Sequence, residues 1–280
     1  MTATKEAPVA AQPTVHSGRS WTANVLKARE SGIAGALIVL VVFTATQNSR
    51  FLSGQSIRDI LLGTAILAVL AVGQAIVMIT RNIDLSVGSV LGLAAFAVGT
   101  LMKDNPGLPV IVAILAGLAV GAVCGLVNGA LVRFGQVPAL VVTLGTLYAF
   151  RGVSYFWAGG QQINADKLPA SFLDFGTASV LGVPWLVLIA VLVLVAAGIV
   201  LRSYRAGREL YAMGSSPQAA QLAGIRVGRN TSAAFLVSGA LAGLAGVLFA
   251  ARFGTVDAAA GWRCSAAAAR SGARASARCC

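Results

Sequence analysis

Long unbroken apolar runs separated by short polar connections dominate the chain between Ser31 and Ala251. An α-helix rises about 1.5 Å per residue, so about 20 apolar residues cross roughly 30 Å of hydrocarbon. Seven runs approach or reach that length: 31–47, 60–79, 85–102, 108–132, 137–157, 183–201 and 231–251. The second, fourth and seventh are long and free of charge. The fifth carries Arg151, which can snorkel to the outer interface, and opens beside Gln136 and Pro138. Transmembrane strands would alternate apolar and polar residues, which these runs do not. The pattern predicts an all-α polytopic transmembrane bundle. Only 11% of residues are charged, against about 25% in soluble domains. That excludes a soluble enzyme, a disordered chain and a disulfide-stapled secreted domain.

Charge then sets orientation. Lys and Arg number 21 and Asp and Glu 9, for a net charge of +12. The cations sit in short loops, so they report topology rather than nucleic-acid binding. With the N-terminus inside, Lys5, Arg19, Lys27, Arg29, Arg81, Arg133, Arg202, Arg205, Arg208, Arg226 and Arg229 are cytoplasmic. Arg50, Arg58, Lys103, Arg151, Lys167 and Arg252 are then external. This places the N-terminus and the 202–230 loop in the cytoplasm of a multi-pass plasma (inner) membrane protein. Residues 1–30 are polar, read as a disordered cytoplasmic tail, and show no cleavable signal peptide.

Gly117, Gly121, Gly125 and Gly129 recur every fourth residue in the fourth run, and Gly239 and Gly243 repeat the device in the seventh. Such spacing lets helix backbones approach closely. Asn128 and Gln74 are polar groups at membrane depth, expected to hydrogen-bond between helices. Energy-coupling chemistry is missing from the sequence. No Lys follows Gly, so no Gly-Lys-Ser/Thr phosphate loop exists, and the lone His16 excludes a two-histidine metal motif. Cys124 reads as core, and Cys264, Cys279 and Cys280 have no metal-ligand spacing. Asp84 is the only acid near a membrane core, whereas ion-coupled carriers keep ionisable groups near the midplane. Uphill transport by this chain would draw its energy from another subunit.

The 202–230 loop encodes a short helix. Ser215 or Ser216 can cap its start, Ser215 and Gln218 have capping-box spacing, and Pro217 suits the first turn. Gly224 can take the left-handed position past the end, followed by Ile225 as an apolar contact. Ala219, Ala220, Leu222 and Ala223 give it a small apolar face. That face fits either a partner subunit or the underside of the bundle.

At these residues a family resemblance enters. Gly207-Arg208-Glu209-Leu210-Tyr211-Ala212-Met213-Gly214, with Pro217-Gln218-Ala219-Ala220-Gln221-Leu222-Ala223-Gly224-Ile225, resembles the cytoplasmic coupling loop of sugar-type ABC importer permeases. Ile83-Asp84-Leu85-Ser86-Val87-Gly88-Ser89 resembles that family's loop motif, with Arg81 and Asn82 in place of the usual glycine pair. Val137 to Leu147 with Arg151-Gly152, and Ala242-Gly243-Leu244-Ala245-Gly246, follow in the family's order. The resemblance implies the type II ABC importer permease fold over 31–261. It implies a permease subunit translocating a monosaccharide, rhamnose-like or a pentose, or alternatively autoinducer 2. The implied partners are a second permease chain (identical or not), an ATP-binding subunit that holds ATP and Mg, a periplasmic or lipoprotein sugar-binding protein, and membrane lipid. No cofactor is implied in this chain. The coupling helix would involve Gly207, Arg208, Tyr211, Gly214, Pro217, Ala219, Ala220, Leu222, Gly224 and Ile225. Thr143, Thr146, Tyr148, Phe156 and Trp157 are candidate pathway residues, because hydroxyls and aromatic faces suit sugars; packing is the competing role for each.

Past Gly261 the resemblance is expected to end. Residues 262–280 are rich in Ala, Arg, Ser and Cys and contain no span. They read as a frameshifted tail, which leaves an inactive truncated fragment as one alternative and a stand-alone secondary carrier as another.

Overall fold

The computed structural model describes residues 31–257 apart from Ser49 and Leu181. The expected tails, 1–30 and 262–280, lie outside the described residues. The chain divides into two compact units, Met1–Ile57 and Arg58–Cys280. In the first, α1 (Ser31–Gln47) is the first apolar run, 17 residues long, or about 25 Å at the helical rise. A turn follows, in which Ser53 Oγ accepts from Ser56 N at 3.3 Å, capping the next helix.

The longer helices are α2 (Gly54–Ile79), α3 (Val87–Asp104), α4 (Val110–Gly135), α5 (Ala139–Ala158), α7 (Trp185–Ser203) and α10 (Val227–Phe253). These six are long and apolar enough to cross a membrane. Shorter helices lie between them: α6 (Ala170–Thr177), α8 (Arg205–Ser215) and α9 (Pro217–Leu222). A two-residue hairpin pairs Ser179–Val180 with Val183–Pro184. All seven predicted runs are helices. Their ends are set by backbone chemistry. Helices α4, α5, α6 and α7 each begin directly after a proline, Pro109, Pro138, Pro169 and Pro184. Proline disfavours the helical region for the residue before it, so none of these helices extends backwards. Gln136 at φ 53° ends α4, and Gly159 at φ 53° ends α5.

Within the second unit α10 is the most buried span and α7 the least. Helix α10 packs along α4 and against α3. The predicted glycine device is this seam. A Cβ on Gly121 would overlap the Gly239 carbonyl oxygen and lie 2.7 Å from Gly243 N. One on Gly243 would overlap the Gly117 carbonyl, and one on Gly129 would lie 2.8 Å from Ser232 Cα. Gly246 serves the other face, where a Cβ would lie 2.6 Å from the Leu91 oxygen of α3. Lipid is as apolar as leucine, so close backbone packing rather than a hydrophobic force holds such a seam.

At one end of the unit, α6 and its flanks close the core. Phe172 is fully buried with Ile163 and Val256, whose backbones exchange two 2.9 Å hydrogen bonds. The other end carries the polar loops.

Candidate functional site

The connection from α2 to α3, residues 80–86, carries Ile83, Asp84, Leu85 and Ser86 of the motif, with Gly88 in the first turn of α3, and its polar side chains are held by hydrogen bonds. Thr80 Oγ1 donates to Val77 O at 2.7 Å, and Asn82 Nδ2 donates to Thr80 O and Oγ1 at 3.0 and 2.9 Å. Asp84 is 1% exposed. Its Oδ1 accepts from Ser86 N at 2.9 Å and Ser86 Oγ at 2.6 Å. Burial pushes its carboxyl above the usual carboxylate range, and the two Ser86 bonds pull the other way.

Three helices grip this loop. Asn128 of α4 donates from Nδ2 to Ser86 Oγ at 2.7 Å. Gln74 of α2 donates to the Asp84 carbonyl, and Thr143 Oγ1 of α5 donates to Ile83 O at 3.2 Å. Asn128 and Gln74 thus serve the loop rather than a helix partner. Gly88 has open space around its Cα, and Leu85 and Ile83 are exposed.

Directly against this loop lies the 202–226 segment. Helix α8, absent from the sequence-based expectation, folds back on the end of α7. Gly207 permits it, because a Cβ there would overlap the Leu201 carbonyl. Gly214 sits against the Ile79 carbonyl in the same way. Arg208 Nη1 reaches back to Ser203 O at 3.1 Å. Glu209 accepts from Arg205 Nε at 2.8 Å and Asn230 Nδ2 at 2.9 Å, which ties α8 to α10. Those two donors hold its carboxyl below the usual range.

Helix α9 forms where the caps place it, with one correction. Ser216 is the N-cap and accepts from Ala219 N at 3.3 Å. Ser215 is the last residue of α8, so the Ser215–Gln218 box does not form. The end is a Schellman motif. Gly224 takes φ 81°, its N–H bonds Gln221 O at 3.0 Å, and Ile225 N bonds Ala220 O at 3.0 Å. The small face is split: Ala220 is 4% exposed, facing the protein, whereas Leu222 is 92% exposed. Ala219 and Ala223 are exposed, as is Tyr211 of α8, and Pro217 is half-buried.

One bond joins the two motifs. Arg81 adopts φ 61° and its Nη2 donates to Ser215 O at 2.7 Å, one residue before the N-cap of α9. Left-handed backbone favours glycine, which gives a physical reason for the glycine pair usual at this point. Here arginine occupies it and gains the latch. Sequence reasoning missed Arg81, α8 and the outward role of Leu222. A mid-loop arginine followed by Asn gave no period or cap to read.

The five candidate pathway residues do not converge. Thr143 and Thr146 are buried and bonded to backbone oxygens, Ile83 O and Thr143 O. Tyr148 and Phe156 stand on the open face of α5, Phe156 91% exposed. Trp157 is half exposed and packs edge-on against Phe96 at 5.6 Å between centroids.

Among the described residues, six apolar spans, a glycine seam and a polar node under one end define a multi-pass helical membrane protein. A family profile described as "Branched-chain amino acid transport system / permease component" matches residues 56–270, and the chain belongs to that family. The Autoinducer 2 import system permease protein LsrC of Enterobacter sp. (strain 638) is 40% identical over 233 residues, 83% of this chain and 66% of that protein. Its counterpart from Klebsiella pneumoniae is 39% identical over 232 residues, covering 83% and 66%. That of Salmonella typhimurium is 37% identical over 231 residues, covering 81% and 65%. The chain thus spans just under two thirds of the length of these relatives. No solved structure matches the chain significantly. The resemblance to sugar-type ABC importer permeases, read from the sequence motifs, is borne out.

Proposed function

We propose that this chain is the membrane-spanning permease subunit of an ATP-driven importer whose solute is autoinducer 2. The observation that carries the solute is the identity of 37–40% over more than 230 residues to permeases named for autoinducer 2 import. It favours that alternative over the rhamnose-like or pentose reading, and over the amino acids of the family's title. A neutral solute also suits spans almost free of acids.

In this reading the N-terminus and the α8–α9 segment face the cytoplasm, where a separate ATP-binding subunit hydrolyses ATP and docks on α9. The protruding Leu222 and its alanine neighbours form the contact, while buried Ala220 anchors the helix. Motion of α9 would pass through Ser215 and Arg81 to the 80–86 loop, and from there to Asn128 and Thr143 in two spans. A second permease chain and a solute-binding protein complete the assembly.

The test is uptake by cells lacking their own importer, carrying this chain together with the ATP-binding and solute-binding subunits of an autoinducer 2 import system. Removal of autoinducer 2 from the medium, but not of rhamnose or leucine, is the expected result. Preferential rhamnose, pentose or leucine uptake would overturn the assignment. Leu222→Asp should abolish co-purification of the ATPase while leaving the melting temperature of the permease unchanged. Retained co-purification would remove α9 as the docking point.

A further inference from the structure

Ser215 is the last residue of α8 and Ser216 the N-cap of α9, so no linker separates the two helices. Displacing α9 therefore moves the end of α8 with it. That end is joined to the end of α2 in two ways. Gly214 lies so close to the Ile79 carbonyl that a Cβ there would overlap it. Arg81, two residues further along the chain from Ile79, donates from Nη2 to Ser215 O at 2.7 Å. Its guanidinium also suits the negative end of the α8 dipole. The first contact is backbone on backbone, with no side chain between the helices to yield. The second comes from a residue at φ 61°, where glycine would sit without strain. Glycine, the residue usual at this point of the family motif, would keep the turn and lose the tie. Elsewhere α8 is fixed by Gly207 against the Leu201 carbonyl and by Glu209, which accepts from Asn230 Nδ2 at 2.9 Å. Helix α8 is thus a short rod clamped to the ends of α2, α7 and α10.

We propose that Arg81 and Gly214 are positioning residues for energy coupling: their joint makes the end of α2, and with it the 80–86 loop, follow α9. The inference deepens the import reading and rests on it, because the ATP-binding subunit supplies the displacement. It is separate from docking, which Leu222 and its alanine neighbours provide. A broken joint leaves the ATPase bound and cuts the delivery of its motion to the spans. The arginine, set on a backbone that favours glycine, is the part of the joint that a single substitution removes without adding strain.

The experiment assembles the full chain, with Leu85→Cys as its one cysteine, with the ATP-binding, solute-binding and second permease subunits of an autoinducer 2 import system in nanodiscs. Leu85 is exposed, so a fluorophore there reports on the 80–86 loop. ATP should change its emission in the otherwise wild-type complex. Arg81→Gly, which relieves the backbone and removes the tie, should reduce that change several-fold. Gly214→Ala, which forces the two backbones apart, should abolish it. Arg81→Lys, which keeps a cationic donor, should recover part of it. Co-purification of the ATPase reads docking in each complex and should persist. In proteoliposomes, solute taken up per ATP hydrolysed should fall in step with the fluorescence response. An unchanged response to ATP in both Arg81→Gly and Gly214→Ala overturns the proposal. So does loss of co-purification together with the response, because the joint would then serve docking alone. A wild-type complex with no response to ATP would instead count against the ATP-driven reading itself.

Discussion

The seam between α4 and α10 and the node around residues 80–86 solve the same problem by opposite means. At the seam, Gly117, Gly121, Gly239 and Gly243 offer no side chain, and stability comes from backbones lying in contact. At the node, Asp84, Ser86, Asn128, Gln74 and Thr143 offer little apolar surface, and stability comes from hydrogen bonds among largely buried groups, although Asn128 Oδ1 is buried without a partner. The seam fails by intrusion of volume, the node by loss of a partner. A seam that cannot deform also gives the node a rigid floor, because Asn128 and Gly129 are neighbours on α4.

The largest expected effect comes from breaking the seam. Gly121→Leu drives a side chain into the Gly239 carbonyl and should cost at least about 3 kcal/mol, the upper end of ordinary overpacking, because backbone cannot step aside. Even Gly121→Ala should destabilise, although alanine is the better helix former by about 1 kcal/mol. Thermal unfolding in detergent measures both, and an unchanged melting temperature in the leucine variant would show that the two helices separate freely.

The node should break more gently and in graded steps. Asp84→Ala strands the N–H and O–H of Ser86 in a buried site and should cost about 1–3 kcal/mol. Asp84→Asn keeps an acceptor and should lose less than half as much. Equal losses would mean that the negative charge, not the acceptor, holds the loop.

The latch between the node and the end of α8 can be separated from backbone strain. Arg81→Gly and Arg81→Ala both remove the bond to Ser215, but only alanine keeps a Cβ at φ 61°. Glycine should be the more stable of the two by about 1 kcal/mol, seen as a difference in unfolding midpoint. Equal midpoints would refute a fixed left-handed position.

The smallest effect is at Glu209. Its folded-state carboxyl sits below its ordinary range, so its contribution is present above the unfolded value, near about 4.3, and fades as pH falls through the folded value. Glu209→Gln should lower the melting temperature slightly at neutral pH, and the difference should shrink as the pH falls below the unfolded value towards the lower folded one. A constant difference across that range would assign the effect to packing.

Much of this was legible in the chain itself. Span positions followed from length and hydropathy, because in a bilayer every backbone group must be satisfied within its own helix. The seam followed from glycines at a spacing of four. Helix α9 followed from Pro217, Gly224 and Ile225, which act locally. The choice between Ser215 and Ser216 did not, since it depended on whether α8 existed to claim Ser215. Helix α8 was hidden because its apolar positions, Leu210 and Met213, are few, and its docking relies on Gly207 and Gly214 meeting carbonyls from elsewhere. Among the candidate pathway hydroxyls, composition placed Thr143 and Thr146 with Tyr148, but rotation about α5 turns the threonines inward and the tyrosine outward.

By itself, then, the sequence determined that the chain is a helical membrane bundle, where most of its helices begin and end, and which family it belongs to. All of these are written in local patterns of a few to about twenty residues. Which polar groups pair, which alanine of α9 is anchored, and that Arg81 reaches Ser215 across 134 positions were decided only by the tertiary structure. Such contacts join residues remote in the chain, and no local period or cap records a partner that arrives from another helix.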